Sequence, residues 1–304
     1  MKTPIIENDK KLKLRGTNEN YNLLLEFIEN NPEKFKSSNS TTLSQSLKIS
    51  QPTITRFSKH LGFKNFRELQ IYVAERITKI NAINRLVKKG DDLNSGDIIS
   101  NIFNLYNYSI KETNDLYCFN HNKIVKYTKT VLENYPNIIF GIGDSAIVGR
   151  YFAKQVRKVG VPIYCVDSIH EFFSSEITLK NKAHITLISN SLKTAEILKV
   201  IEHLEKLNLT YSIWTSDMER ARKICHKATN ILEIVALEEE YRLVPVGIKV
   251  SCFMLVDIIF AMIINSHKEK AAKYVTMRQN IEDWNTMMRG ECKHSFKQRK
   301  REKK

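Results

Sequence analysis

Residues 50–66, SQPTITRFSKHLGFKNF, contain the start, the buried stripe and the end of one short helix. Ser50 is a favourable N-cap, and Pro52 falls in the first turn, where its missing N–H breaks no hydrogen bond. Gly62 is suited to end the helix. Three apolar side chains fall at i, i+3 and i+7 and share one face: Ile54, Phe57 and Leu61. The opposite face is polar and can donate hydrogen bonds.

A shorter helix is predicted just before this one, over residues 41–47, with Leu43 and Leu47 on its buried side. Only Lys48 and Ile49 separate the two helices, which is the spacing of a helix-turn-helix. The second helix is therefore predicted to read DNA. An ordinary helical pair with a solvated basic face is the alternative that the spacing leaves open.

The polar face of the second helix indicates which residues would touch DNA. Base edges are expected to be closest to Gln51, Thr53, Thr55 and Arg56. Phosphates are the expected partners of Lys59, Lys64 and Arg67, and the N-cap Ser50 is included as a DNA-contacting residue.

The net charge of +15 is concentrated at the two ends of the chain. Residues 1–80 have 14 Lys and Arg against 8 Asp and Glu, a net of +6, whereas residues 81–292 have 27 against 24, a net of +3. The last 12 residues have 7 against 1 and add +6. A basic N-terminal module suits phosphate contacts that weaken with salt. For the basic tail, added DNA affinity and simple solubility are equally open.

Length and composition indicate a folded protein with room for two domains. The chain has 304 residues, of which 42% are hydrophobic and 27% charged. Its five cysteines are scattered without a C-x-x-C pair or a histidine at ligand spacing, so we expect reduced thiols, no metal and no cofactor. We find no signal peptide, and the longest apolar run, 252–264, is shorter than the roughly 20 residues that span a bilayer. A cytoplasmic protein without membrane contact is expected.

The N-terminal part reads as all-helical. Helices over 21–28 and 66–80 would complete a helix-turn-helix bundle within a domain of residues 1–80. Residues 81–130 are predicted to be a helical linker that contains the polar stretch 88–96. Its helices are expected over 97–117 and 122–134.

From residue 131 the apolar pattern changes to short runs that alternate with amphipathic segments. The runs cover 137–141, 162–166, 184–188, 211–215 and 230–235. This is the βαβ pattern of a parallel sheet covered on both faces, closed here by a helix over 244–265. The predicted fold class is α/β, an all-α helix-turn-helix bundle followed by a doubly wound five-stranded parallel sheet over 131–270. Residues 271–304 are expected to be a C-terminal segment that is weakly structured beyond residue 280 and ends in a disordered basic tail.

Two loops of this sheet have residues suited to hold an anion. Ligands collect at the carboxyl ends of parallel strands, where the chain reads Gly141-Ile-Gly143-Asp-Ser145 after the first strand and Ser189-Asn-Ser191-Leu-Lys-Thr194 after the third. Glycines allow close backbone approach, and hydroxyls with unpaired N–H groups at a helix start form a phosphate cradle. For either loop alone, ordinary helix capping is the alternative.

The order of these motifs resembles the RpiR-type transcriptional regulators, over residues 20–270. Their helix-turn-helix precedes a sugar isomerase (SIS) domain that binds a phosphosugar and dimerises without a required reaction. The resemblance implies that Ser145, Ser189, Ser191 and Thr194 hold a phosphosugar near Gly143. It also implies a regulator of sugar-phosphate metabolism genes, as a homodimer or homotetramer on an inverted-repeat operator. Leu192 departs from the family, which usually has glycine there.

The sequence alone leaves two other functions possible. Gly141-x-Gly143-x-x-Ala146 with Asp167 after the second strand also fits a dinucleotide site, so a regulator that senses NAD is one alternative. An SIS-type phosphosugar isomerase or lyase is the other, and it would need a general base. The candidates are His170, Glu171, Glu176 and Glu238 to Glu240. None forms a recognisable acid–base pair, so we expect no enzyme.

Overall fold

The computed structural model describes residues 4–6, 10–11, 14, 18–87, 93–175, 183–236 and 246–288. The chain forms two compact units, Met1–Asn104 and Leu105–Lys304. The finer division into 1–80, 81–130, 131–270 and 271–304 stays a prediction. Part of the polar stretch 88–96 and the basic tail lie outside the described residues, so their expected linker and disordered character stay predictions as well.

The first unit is a helical bundle, as predicted. Its helices are α1 (Glu19–Asn30), α2 (Pro32–Ser37), α3 (Ser40–Leu47), α4 (Gln51–His60) and α5 (Phe66–Leu86), and α6 (Ser95–Phe119) begins in this unit and ends in the second. The core contains the predicted stripe of α4 together with side chains of the other helices: Leu24, Ile28, Phe35, Leu43, Ile54, Phe57 and Leu61. The short helix α2 was not predicted, because six residues are too few to show a helical period.

The turn between α3 and α4 has a left-handed residue where helix-turn-helix pairs often have glycine. Lys48 ends α3 with a φ of 54°, and its backbone N–H donates to Ser44 O. Ile49 follows and is buried, and Ser50 then caps α4. The turn therefore closes without glycine, with a lysine in the conformation that glycine would favour.

The second unit is a five-stranded parallel sheet with helices on both faces. In chain order it contains α7 (His121–Glu133), β1 (Asn137–Gly141), α8 (Asp144–Arg157), β2 (Ile163–Val166), α9 (Ile169–Ser174), β3 (His184–Ile188), α10 (Ala195–Lys206), β4 (Tyr211–Thr215), α11 (Met218–Ile224), β5 (Ala228–Glu233), α12 (Val246–Ser266) and α13 (Lys268–Met288). The strand order is β2-β1-β3-β4-β5, and every pair is parallel. The predicted fold class is confirmed.

The sheet is doubly wound, because its two faces are covered by different helices. One apolar cluster joins Tyr127 of α7, Phe152 of α8 and Leu255 of α12 to the sheet. The other joins Phe172 of α9 and Ile197 of α10 to the opposite face. The crossover after β1 thus lies on one face, and the crossover after β3 lies on the other.

A row of buried polar groups crosses the amino-terminal edge of the sheet. His184 on β3 lies 3.1 Å from Asn137 Oδ1 through Nδ1 and 2.8 Å from Ser212 Oγ through Nε2. Asn230 on β5 donates to the same Ser212 hydroxyl over 3.1 Å. Burial lowers the pKa of His184 to about 4, so the ring is neutral in the folded protein at neutral pH.

Several boundaries differ from the prediction: α5 runs to Leu86 rather than 80, and α6 spans Ser95–Phe119 rather than 97–117. The last strand is Ala228–Glu233 rather than 230–235, because its pairing with β4 starts at Tyr211 and Ala228 and shifts register at the next residue. The C-terminal segment expected to be weakly structured beyond residue 280 is instead helical to Met288 within α13. A register shift depends on pairing between strands and is not visible in apolar periodicity.

Helix α12 follows the predicted helix over 244–265 closely and extends beyond the apolar run 252–264. The 19 residues Ile248–Ser266 are long and apolar enough to span a membrane by length and composition, although 33% of the apolar window is buried in the protein. Core helices of soluble proteins pass the same test. Here one side of α12 packs on the sheet through Cys252, Leu255, Val256, Ile259 and Ile263.

Candidate functional site

Helix α4 is fixed in the first unit by its cap and its apolar stripe. Ser50 Oγ accepts from Thr53 N over 3.4 Å and lies 2.8 Å from Thr53 Oγ1. Ile54 and Phe57 are fully buried on the inner side. The inner contacts orient the helix, so its remaining side chains form an outer polar face.

The outer face of α4 is held in place by short-range hydrogen bonds. Gln51 Nε2 donates to Thr41 Oγ1 of α3 over 3.0 Å, which ties together the two helices of the helix-turn-helix. Thr55 Oγ1 donates to Gln51 O over 3.2 Å, and Arg56 Nε donates to Pro52 O over 3.4 Å. Gln51 and Arg56 are exposed, whereas Thr53 and Thr55 are half-buried.

The predicted phosphate-contacting cations surround the same face. Lys59 lies in the last turn of α4, and Lys64 and Arg67 lie just before and within the first turn of α5. Lys64 uses its backbone N–H to donate to Glu68, which leaves its side chain outside that contact. Within the described residues, none of these three side chains forms an ion pair, so their charge is available for an anionic partner.

In the second unit, the two predicted ligand loops leave neighbouring strands at the same edge. Gly141, the last residue of β1, is in register with Ile188, the last residue of β3. The helices that follow, α8 and α10, lie on opposite faces of the sheet. This is the topological switch point of a doubly wound sheet, where a crevice opens and ligands bind.

The first loop leads tightly into α8. A Cβ at Gly141 would lie 2.9 Å from the backbone of Ser145, and Gly143 has a φ of 61°, so both positions favour glycine. Helix α8 begins at Asp144, one residue before the Ser145 expected to start it. Ser145 is half-buried in the first turn.

The second loop folds around Ser189. This serine is buried, and its Oγ accepts from the backbone N–H of Leu192 over 3.2 Å. Ser191 is half-buried, and Thr194 is exposed at the N-cap of α10. Within the described loop, the Thr194 hydroxyl makes no capping hydrogen bond, which leaves it able to bind another group.

Leu192 occupies a glycine-like backbone position without filling the loop. Its φ is 51°, in the left-handed region that glycine favours. Its side chain is fully buried and belongs to the apolar cluster with Ile197 and Val200 of α10. The bulk that replaces the usual glycine therefore points into the core and does not narrow the crevice from inside the loop.

Sequence reasoning missed three groups that shape this edge. Ser216, just after β4, donates through its backbone N–H and its hydroxyl to the carbonyl oxygen of Asn190, each over 3.0 Å. Arg220 Nε of α11 donates to Leu192 O over 2.8 Å. Lys249 Nζ of α12 lies 3.1 Å from Asp144 Oδ2 and places a cation beside the first loop. Only the tertiary fold brings these groups to the loops.

Comparisons with known proteins agree with both units. Residues 6–79 match the family model described as the helix-turn-helix domain of the rpiR family. The chain carries an rpiR-family helix-turn-helix domain. The resemblance to RpiR-type regulators is thereby confirmed for this part.

Solved structures share the fold of this chain. The Vibrio vulnificus NanR protein complexed with ManNAc-6P is 16% identical, with a TM-score of 0.58 over 93% of this chain and 99% of that chain. The E. coli CFT073 protein c3406, solved as a ligand complex, is 18% identical, with a TM-score of 0.51 over 61% of this chain and 100% of that chain. The sugar isomerase domain of an RpiR transcription factor from Sphaerobacter thermophilus is 16% identical, with a TM-score of 0.45 over 61% and 96%. At these identities the first two similarities establish the fold.

The residues that support a dinucleotide site or an enzyme are less favourably placed than the two loops. Asp167, the candidate ribose ligand, is paired with Arg150 of α8. His170 and Glu171 are exposed on the short helix α9. Glu176 and Glu238 to Glu240 lie outside the described residues. Within the described ranges, no three His, Cys, Asp or Glu side chains are grouped to hold a metal ion.

Proposed function

We propose that this protein is a sequence-specific transcription regulator of sugar-phosphate metabolism genes that senses a phosphosugar. One observation carries the proposal. A single chain joins an rpiR-family helix-turn-helix with a basic outer face to a sheet whose switch point presents two hydroxyl-lined helix starts. Through a DNA-binding domain, a ligand-binding domain can act on transcription. An enzyme needs no such domain for its reaction.

The phosphate would bind at the second loop. The first amides of α10 have no acceptor inside the helix, and the helix dipole favours an anion there. The hydroxyls of Ser191 and Thr194 would add hydrogen bonds, while Ser189 holds the loop through Leu192. The Asp144 carboxylate at the first loop is paired with Lys249, so a phosphate there would have to compete for that cation. The second loop, residues 189–194, has no carboxylate, which favours it for the phosphate.

The sugar would then lie toward the first loop. Asp144 with Lys249, and Ser145, offer acceptors and donors of the kind that bind sugar hydroxyls. The NanR structure that resembles this chain is complexed with ManNAc-6P, which supports a phosphosugar as the ligand class. A dinucleotide is less suited, because Asp167 would have to give up Arg150 to reach a ribose.

On DNA, α4 would enter the major groove, with Gln51, Thr53, Thr55 and Arg56 facing base edges. Ser50, Lys59, Lys64 and Arg67 would contact the backbone and position the domain. The protein would act in the cytoplasm as a homodimer or homotetramer on an inverted repeat, with half-sites about 10 bp or a multiple apart. The many half-exposed apolar side chains of α12 support self-association, since an apolar helix that is only partly covered favours a further partner.

A ligand acts as a switch only if it binds one arrangement of the DNA-reading domains more tightly. A differential of about 1–3 kcal/mol is typical of such coupling. We expect the phosphosugar to change operator affinity by that amount, as an inducer or as a corepressor. Operator affinity that is unchanged at saturating ligand would contradict the switch.

The test is a thermal-shift screen of the whole chain against sugar phosphates, amino-sugar phosphates and NAD. A ligand at about 100 times its Kd stabilises by about 2.7 kcal/mol, which for the second unit of roughly 200 residues raises Tm by about 5–10 °C. The shift should vanish in Ser191→Ala/Thr194→Ala. It should persist in Thr210→Ala, the matched control, which removes an exposed threonine hydroxyl before β4. A shift with NAD alone, or turnover of a phosphosugar, would overturn the proposal.

A further inference from the structure

The C-terminal helix α13 has an apolar surface with no cover on most of its length. No residue of this 21-residue helix is buried. Ile281, Trp284 and Met288 are 53%, 56% and 66% exposed. A helix gains most of its stability in proteins from packing an apolar face. The distal half of α13 therefore lacks the contacts that would normally hold it.

The apolar residues of α13 follow the spacing of a coiled-coil seam. Five side chains alternate steps of three and four residues, and we call them the α13 seam: Tyr274, Met277, Ile281, Trp284 and Met288. The first residue of the seam packs within the chain, because the Tyr274 ring lies 5.5 Å from the Phe260 ring of α12 in an edge contact. The same stripe continues beyond that contact, where its side chains are exposed.

The rest of the chain is poorly suited to cover the seam. Residues 289–304, which follow directly, have the sequence RGECKHSFKQRKREKK. Only Cys292 and Phe296 offer apolar side chains, against eight Lys and Arg. The segment that follows α13 therefore offers little apolar cover for three large side chains, which favours a partner from another molecule.

The charges beside the seam favour a second copy in antiparallel orientation. The proximal half of α13 has four cations, Lys268, Lys270, Lys273 and Arg278, against Glu269, whereas the distal half has Glu282 and Asp283. Antiparallel pairing places the basic half of one helix against the acidic half of the other, while parallel pairing opposes like charges. Arg278 and Glu282 form no ion pair with any described residue, so both can pair across such an interface.

We propose that the α13 seam packs antiparallel against the α13 seam of a second copy of this chain. The interface rests on the proposed self-association of the regulator and gives it a location. With Met277 opposite Ile281 of the second copy, Tyr274 meets Trp284, and Arg278 comes near Glu282 of the other helix. The pairing is isologous, so one contact set occurs twice about a two-fold axis.

The first experiment measures assembly of the full chain by sedimentation equilibrium, with tryptophan quenching as a local readout. Only two tryptophans are present, and Trp214 is fully buried, so acrylamide quenching reports Trp284. Ile281→Glu should raise the dimer Kd by at least about 10-fold, since it removes two buried side chains per dimer, and should increase quenching. Gln279→Glu adds the same charge on the opposite face and should change neither.

The second experiment tests orientation. Arg278→Glu and Glu282→Arg should each weaken the homodimer a few-fold, and an equimolar mixture of the two variants should restore assembly. Arg278→Ala should also weaken the dimer, whereas in a parallel pair it would remove a repulsion and strengthen it. A stronger Arg278→Ala dimer would overturn the antiparallel arrangement.

The outcomes separate this interface from the proposed function. An Ile281→Glu chain that stays dimeric and shows unchanged Trp284 quenching would overturn the α13 interface. The proposed regulator function would not be affected by that result. Trp284 quenching that stays low when the chain is monomeric would also overturn the interface, since it would mean cover from within one chain. A wild-type chain that is monomeric on its operator would overturn both.

Discussion

The carbonyl oxygen of Leu192 accepts a hydrogen bond from Nε of Arg220 over 2.8 Å. This bond links the loop after β3 to the helix after β4, and Ser216 adds two more links through the carbonyl of Asn190. The candidate phosphate loop is therefore held by the neighbouring strand's connection as well as by its own turn. A loop fixed before binding loses less conformational entropy when the ligand arrives.

Arg220→Ala should weaken phosphosugar binding without removing any group expected to touch the ligand. A hydrogen bond from a charged donor contributes about 1.5–3 kcal/mol, and we expect about a tenfold rise in Kd as the loop becomes less ordered. Isothermal titration calorimetry measures this change. Arg222→Ala, an exposed arginine on the same short helix, is the control and should bind normally. Equal ligand affinities in the two variants would mean that the loop is ordered without the hydrogen bond from Arg220.

At position 192 glycine should destabilise the protein less than alanine does, the reverse of the usual order of the two residues. Both substitutions remove a buried leucine side chain, which typically costs about 2–5 kcal/mol. Glycine also relieves the left-handed backbone, by about 1 kcal/mol. Leu192→Gly should therefore be less stable than the wild type but more stable than Leu192→Ala. Urea unfolding followed by circular dichroism decides this, and a more stable alanine variant would contradict the backbone assignment.

Arg56 and Lys64 should affect DNA binding in different ways. Arg56→Ala should cost about 1–3 kcal/mol at the preferred operator and relax the preference at one base position. Lys64→Ala should weaken binding to all sequences alike and reduce the salt slope by about 1. Selection of sites from random DNA, followed by titration at several salt concentrations, separates the two effects. An Arg56→Ala protein with unchanged affinity and preference would mean that α4 does not lie in the groove as proposed.

His184 should make the second unit sensitive to acid. Its pKa in the folded protein is about 4 because of burial, below its ordinary value of 6.5, so protons bind the unfolded chain more readily. Its contribution to stability is complete above pH 6.5 and is lost as the pH falls toward 4, by about 3 kcal/mol in total. The free energy of unfolding of the wild type between about pH 7 and 4 should fall more steeply than that of His184→Gln. Substitution of the exposed His170 by Gln should leave the slope unchanged.

Apolar spacing and capping residues were enough to place most of the secondary structure. The strands Asn137–Gly141, His184–Ile188 and Tyr211–Thr215 match the predicted runs, because buried parallel strands read as continuous apolar segments. The stripe of α4 was visible because its period is local. Helix α13 beyond residue 280 was missed, although Ile281, Trp284 and Met288 keep a helical spacing.

The sequence by itself determined the two fold classes, the reading helix with its cap, and the hydroxyl-rich loops, since each depends on residues close together in the chain. Only the tertiary structure decided that β1 and β3 are neighbours in the sheet, with the helices that follow them on opposite faces. It alone placed the Leu192 side chain in the core and brought Arg220 and Lys249 to the loops. Strand order and side-chain direction depend on how distant segments pack, and that information is not present in local spacing.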